Sequence, residues 1–104
     1  MTDACVVLTT FENRDQARPV IDALISERLV ACVQMMDIES SYTWQGVVEH
    51  EPEVLVLIKT TTVVYPMLEK RLAELHPYDV PEILQIPVAS GSRAYLAWMA
   101  ENTR

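Results

Sequence analysis

Any chemistry in this chain has to come from a short set of side chains: His76, Cys32, Lys59 and a row of glutamates at 49, 51 and 53. His76 stands just before Pro77 at the end of an apolar helical pattern. There its imidazole can serve the helix's last carbonyls, or, in the neutral form, ligate a metal. Cys32 lies in Val30-Ala31-Cys32-Val33. In such a run it reads first as a small buried hydrophobe, with soft ligation of copper or a related ion as its functional alternative. Glu49, Glu51 and Glu53 alternate, so a regular strand places them on one face. That face attracts hard divalent cations weakly, or is simply solvated. Lys59 ends the apolar run from Val54 to Ile58, where it can bind an anion or snorkel beside the core. His50, between two glutamates, reads as solvated, and Cys5 as structural.

Several familiar sites are missing. The two glycines, Gly46 and Gly91, cannot write a P-loop or a dinucleotide fingerprint. The segment Thr9-Thr10-Phe11-Glu12-Asn13 has no glycine and no arginine before Arg14, so it lacks an anion nest. An enzymatic reading would rest on Lys59, His76 or Glu82 as an acid-base group. No nucleophile–base pair is visible beside them, and a non-catalytic role is expected. The charge balance is 8 Lys plus Arg against 15 Asp plus Glu, a formal net charge of -7. Such a surface repels phosphate backbones, so no nucleic-acid partner is expected. No apolar run approaches the roughly 20 residues of a membrane span. Met1-Thr2-Asp3-Ala4-Cys5 lacks a basic leader, so the expected location is cytoplasmic.

The elements that must position these groups follow from periodicity. The 104 residues, half of them apolar, suit a single domain over 1–104. Residues 4–10 form a β-branched strand. Asn13 with Gln16 three residues later marks a helix start, and Ala17, Val20, Ile21, Leu24 and Ile25 trace its buried stripe. Pro19 requires either a start near Asp15 or a kink. Leu29–Thr43 and Val47–Thr61 form a long hairpin around Trp44-Gln45-Gly46. Pro52 removes a ladder donor, so a break or bulge is expected near Glu51-Pro52, dividing the hairpin into a base and a projecting tip. A helix over 63–75 buries Val64, Met67, Leu68, Leu72 and Leu75, and His76-Pro77 stops it. Residues 82–88 give a strand whose Pro87 favours an edge. A C-terminal helix starting at Gly91-Ser92 carries Tyr95, Trp98 and Met99.

This order is α+β, a ferredoxin-like β-α-β-β-α-β unit with a long central hairpin. Its second strand lies at a sheet edge, an association hazard that another subunit would cover. Tyr42 and Trp44 at the tip supply amphipathic anchors for that contact.

Several phrases resemble the CutA divalent-cation tolerance family, and with spacing intact they cover nearly the whole chain. They are Leu29-Val30-Ala31-Cys32-Val33, Ser41-Tyr42-Thr43-Trp44-Gln45-Gly46, Leu57-Ile58-Lys59-Thr60-Thr61 and His76-Pro77-Tyr78-Asp79-Val80-Pro81-Glu82. The resemblance also extends through Pro87-Val88, Gly91-Ser92 and Tyr95-Leu96-Ala97-Trp98. It implies a cytoplasmic homotrimer, similar in architecture to PII signalling proteins, with a role in tolerance to copper and other divalent metals. Some relatives thought to bind copper have a cysteine where this chain has Thr9 and a histidine where it has Leu75. Only His76 matches that set, so metal binding is expected to be weak or indirect, with His76 and Cys32 as the candidate ligands. A second expectation is a PII-like signalling or adaptor module that binds a small molecule or a partner in an intersubunit cleft. Tyr42, Trp44, Lys59, Tyr78 and Glu82 are its candidate lining. Residues from about Tyr42 to Glu51 are expected to reach a neighbouring subunit.

Overall fold

A computed structural model describes residues 2–104; Met1, the first residue of the stretch read above for a leader, lies outside them. The elements are β1 (Ala4–Phe11), α1 (Arg14–Ser26), β2 (Cys32–Trp44), β3 (Val47–Thr61), α2 (Tyr65–Leu75), β4 (Leu84–Pro87) and α3 (Arg93–Glu101). The strands form one antiparallel sheet in the order β2-β3-β1-β4, as the ferredoxin-like reading requires.

Local chemistry explains the element ends. Asn13 accepts the Gln16 amide, and the Gln16 side chain accepts the amide of Glu12, so two free donors at the start of α1 are satisfied. The helix runs on through Pro19, without the intrahelical donor that proline lacks. At its end Arg28 adopts a left-handed φ of 59°. Leu29 donates to Leu24 and Arg28 to Ile25, the paired bonds of a Schellman closure. That closure buries Leu29 and Val30, and Thr60 Oγ1 donates to the Leu29 carbonyl. These two residues therefore plug the core, and the strand expected from Leu29 begins at Cys32. At the hairpin, Gln45 and Gly46 both have positive φ, 51° and 81°, as a two-residue type I′ turn between paired Trp44 and Val47 demands.

Pro52 neither breaks nor bulges its strand: it pairs with Glu39 in unbroken register. The Lys59 carbonyl accepts from Ala31 on the β2 side, and Thr62 donates to Asp3 on the β1 side. Odd residues of β3 thus bond towards β2 and even ones towards β1. The donor missing at Pro52 points to the β1 side, where pairing has already ended at Phe11 with Val54. From there Ile38–Trp44 and Val47–Glu53 continue as a two-stranded ribbon, the expected tip, and stretch the subunit to 44 × 26 × 22 Å.

The same parity sorts the side chains. Even residues of β3 (Val54, Val56, Ile58, Thr60) and odd residues of β1 (Cys5, Val7, Thr9, Phe11) lie under α1 and α2, against Val20, Leu24, Leu68 and Leu72. Thr9 Oγ1 is buried there without a hydrogen-bond partner. The helical stripes are narrower than periodicity predicts, since Ile25 and Met67 near the helix ends stand half exposed. The opposite face carries Cys32, Gln34 and Met36 on β2, Leu55, Leu57 and Lys59 on β3, Val6 and Leu8 on β1, and Leu84 and Ile86 on β4. Helix α3 reaches it, through Tyr95 over Lys59. Met36, Leu84 and Ile86 are 48%, 55% and 46% exposed.

Candidate functional site

Four of the five residues expected to share a cleft do so. Tyr42 and Trp44 from the tip, Tyr78 and Glu82 from the α2–β4 connection, and Thr10 and Pro52 beneath them line a cleft of about 630 Å³. It exists because β1 stops at Phe11 while the β2–β3 ribbon continues, leaving space that the 78–82 segment walls on the other side. Lys59 is the exception. It pairs with Cys32 and Val6 well away from the tip, and its Nζ donates to the Tyr95 hydroxyl at 3.2 Å while lying 5.1 Å from that ring's centre.

Tyr78 is anchored by two bonds. Its hydroxyl donates to Glu53 Oε2 at 2.7 Å, and its amide donates to His76 Nδ1 at 3.1 Å. Because Nδ1 accepts, the imidazole proton sits on Nε2, which donates to the Thr10 carbonyl at 2.8 Å. The ring stacks on Phe11 with centroids 4.3 Å apart and meets Tyr78 edge-on at 4.8 Å. His76 is thus the buried support behind the cleft, tying the end of β1 to the start of the cleft's second wall. Glu53, the partner of Tyr78, was within reach of sequence reasoning. Counting back from the Gly46 turn in unbroken register puts it on the face of Glu49, Glu51 and Tyr42.

Burial pushes the His76 imidazole below its ordinary value; the Thr10 hydrogen bond and nearby Glu53 offset this only in part. Burial also pushes the Tyr78 phenol up, helped by its bond to Glu53 and by the Glu12 charge. Tyr42 shifts the same way, by burial first and then by Glu51, Glu53 and Glu49. For His76 the folded value lies under the unfolded one of about 6.5. Its contribution to stability is therefore complete above about pH 6.5 and is lost as pH falls through the lower, folded value. Urea midpoints at pH 7.5 and 5.0 should fall further for the native chain than for His76→Gln. Equal falls would show that His76 is not a source of the slope.

Cys32 is not the core residue its apolar neighbours suggested. Its register with Lys59 turns it to the face away from α1 and α2, where it is half exposed. His76 lies on the other side of the sheet, stacked on Phe11. The two expected metal ligands are not brought together. Among the described residues, no three His, Cys, Asp or Glu side chains group as a metal site. Cys5 is fully buried, and burial raises its thiol. His50 is exposed and bonded to Ser41 Oγ.

Comparison with known proteins fits this architecture. Residues 5–102 match the model of the CutA1 divalent ion tolerance protein family. The divalent-cation tolerance protein CutA of Thermus thermophilus is 48% identical over 99 residues, covering 94% of this chain and 96% of that one. Its Pyrococcus horikoshii counterpart is 38% identical, covering 95% and 97%. Crystal structures of CutA1 from Pyrococcus horikoshii and of Cut A1 from Thermus thermophilus superpose with TM-scores of 0.93 and 0.92, at 37% and 47% identity. They cover 96% and 97% of this chain, and 98% and 99% of theirs. The structure of a periplasmic divalent cation tolerance protein CutA from Archaeoglobus fulgidus has a TM-score of 0.92 at 25% identity, covering 95% and 97%.

Proposed function

Since the chain belongs to the CutA1 divalent ion tolerance family, we propose that it acts as a cytoplasmic, non-catalytic homotrimer in tolerance to copper and other divalent cations, with weak or indirect metal binding. The observation that carries the assembly is the second face of the sheet. Leu8, Leu55 and Leu57 sit at its centre and half-exposed Met36, Leu84 and Ile86 around them. Contiguous apolar surface of this kind marks an interface. The β2 edge beside it and the tip with Tyr42 and Trp44 extend the same surface towards a neighbouring subunit.

The observation that keeps metal binding weak is the state of His76. Copper taken up by either ring nitrogen must displace the Thr10 carbonyl or the Tyr78 amide, and Cys32 is on the wrong face to assist. A calorimetric titration of the assembled protein with copper(II) should give a shallow isotherm, little changed in His76→Gln. A tight, saturable site that disappears in His76→Gln would overturn indirect action and place a ligand there.

A second reading is favoured by the convergence of Tyr42, Trp44, Tyr78 and Glu82. In it the cleft binds a small molecule or partner and the trimer acts as a PII-like signalling or adaptor module, again without catalysis.

A further inference from the structure

Helix α3 has nine residues, Arg93–Glu101, too few for a stable isolated helix in water, so it depends on what fastens it. Met99 is its buried side chain, and the core under α1 and α2 is built without it. Towards the sheet, Tyr95 meets Lys59, and Trp98 packs on Tyr95 with ring centroids 5.5 Å apart.

The fastening is denser at the C-terminal end. There α1 and α3 both finish, each leaving carbonyls without an intrahelical donor. Two arginines cross over to fill them. Arg28 Nη2 donates to the Glu101 and Thr103 carbonyls at 2.8 and 3.4 Å. In the other direction the Arg104 amide donates to the Arg28 carbonyl at 2.9 Å, and Arg104 Nε to the Glu27 carbonyl at 2.8 Å. The Glu27 carboxylate takes Arg71 of α2 through two bonds, at 2.9 and 3.0 Å, so three helices meet in one clasp. Arg28 does this from a left-handed φ of 59°, where glycine is the favoured residue. Glycine would therefore close α1 better; the arginine is accounted for by what its guanidinium does for α3.

The other end of α3 bears on the second face of the sheet. Lys59 stands there between Val6 and Cys32. With α3 docked, the ammonium donates to the Tyr95 hydroxyl and lies over the ring. With α3 undocked, it loses that partner, and a second copy covering the face would desolvate an unpaired charge. Docking of α3 then favours binding of the second copy, and binding favours docking.

We propose that α3 and residues 102–104 form a strap that docks and undocks as one unit about the Arg28 clasp, and that its closure over Lys59 readies the second face for another copy of this chain. The proposal rests on the reading of that face as the interface.

The test is Arg28→Gly, which suits the left-handed turn and removes the guanidinium, made in the native chain and in Lys59→Met. Amide hydrogen exchange reads the strap. Sedimentation in rising urea, at fixed protein concentration, reads the assembly. In Arg28→Gly the α3 amides should exchange about tenfold faster, from the lost charge-assisted bonds, while α1 amides keep their rates. Dissociation should shift to lower urea in the native background and by much less in Lys59→Met, which has no ammonium to shield. If α1 and α3 accelerate together, or α3 does not accelerate, there is no separate strap and the proposal fails. If α3 is freed but dissociation is unmoved, or moves equally in both backgrounds, the link through Lys59 is overturned. A single-chain mass for the native protein without urea would instead overturn the assembly reading itself, and the link with it.

Discussion

Replacing Phe11 with alanine should cost the folded protein about 3–5 kcal/mol, the usual range for removing a large buried aromatic side chain. Phe11 has no exposed surface, closes the last β1–β3 pair with Val54, and stacks on His76 at 4.3 Å. The loss therefore comprises the transfer energy of the ring, a cavity at the end of the sheet, and one face of the imidazole that holds the Tyr78 amide. Domains are stable by only about 5–15 kcal/mol, so most of the margin goes with one side chain. Urea unfolding at fixed protein concentration reads the loss, since association makes apparent stability depend on concentration. Leu29→Ala, buried at the far side of the core, is the control. Both variants should lose stability, and Phe11→Ala alone should also shift the Tyr78 ring resonances. A loss well under 2 kcal/mol in Phe11→Ala would mean that the cleft's supporting wall is not built on this stack.

Leu57→Asp should release the subunits from one another. Leu57 lies mid-sheet on the face away from α1 and α2, between Leu8 and Gln34, with Leu84 next in the row. In a single subunit it is only half buried, so a carboxylate there can keep its water and the monomer can still fold. In an assembly that covers this face, the same carboxylate is desolvated with no partner, at a cost of several kcal/mol in each subunit. For the proposed homotrimer, sedimentation should therefore move from about three times 11.8 kDa to the single-chain mass, with the far-ultraviolet circular dichroism unchanged. Ala73→Asp, exposed on α2, should leave the assembly intact. An unchanged mass for Leu57→Asp would show that the apolar face is not the interface.

Much of the fold was legible because it depends on near neighbours in the chain. The Asn13–Gln16 cap, the stripe from Ala17 to Leu24, the turn that starts β3 at Val47, and the start of α3 after Gly91-Ser92 all rest on contacts within a few residues. Misreadings arose where a distant contact decided the matter. Pro52 looked like a break, but a missing donor costs little when it faces the open side of a strand beyond its neighbour's end. Leu29 and Val30 looked like strand, but the closure of α1 and the Thr60 hydroxyl hold them as a core plug. Cys32 looked buried because its neighbours are apolar, yet which face a strand residue occupies follows from cross-strand register.

The candidate site divides in the same way. Tyr42, Trp44, Tyr78 and Glu82 could be named from residue type and the phrases around them, and the structure gathers them in one cleft. Separating Lys59 from that cleft, and His76 from Cys32, required the sheet. Lys59 is six residues along β3 from Glu53, about 20 Å by strand rise, and Cys32 and His76 lie on opposite faces.

By itself, then, the sequence determined the order of elements, the hairpin turn and the groups available for chemistry, since propensity, capping and periodicity act over a few residues. Only the tertiary structure decided that β1 ends short of the ribbon and so opens the cleft. It alone showed that both nitrogens of His76 are occupied, and that acidic rather than basic groups line the site. The physical reason is that each of these facts is a distance between segments far apart in the chain, set by sheet register and core packing.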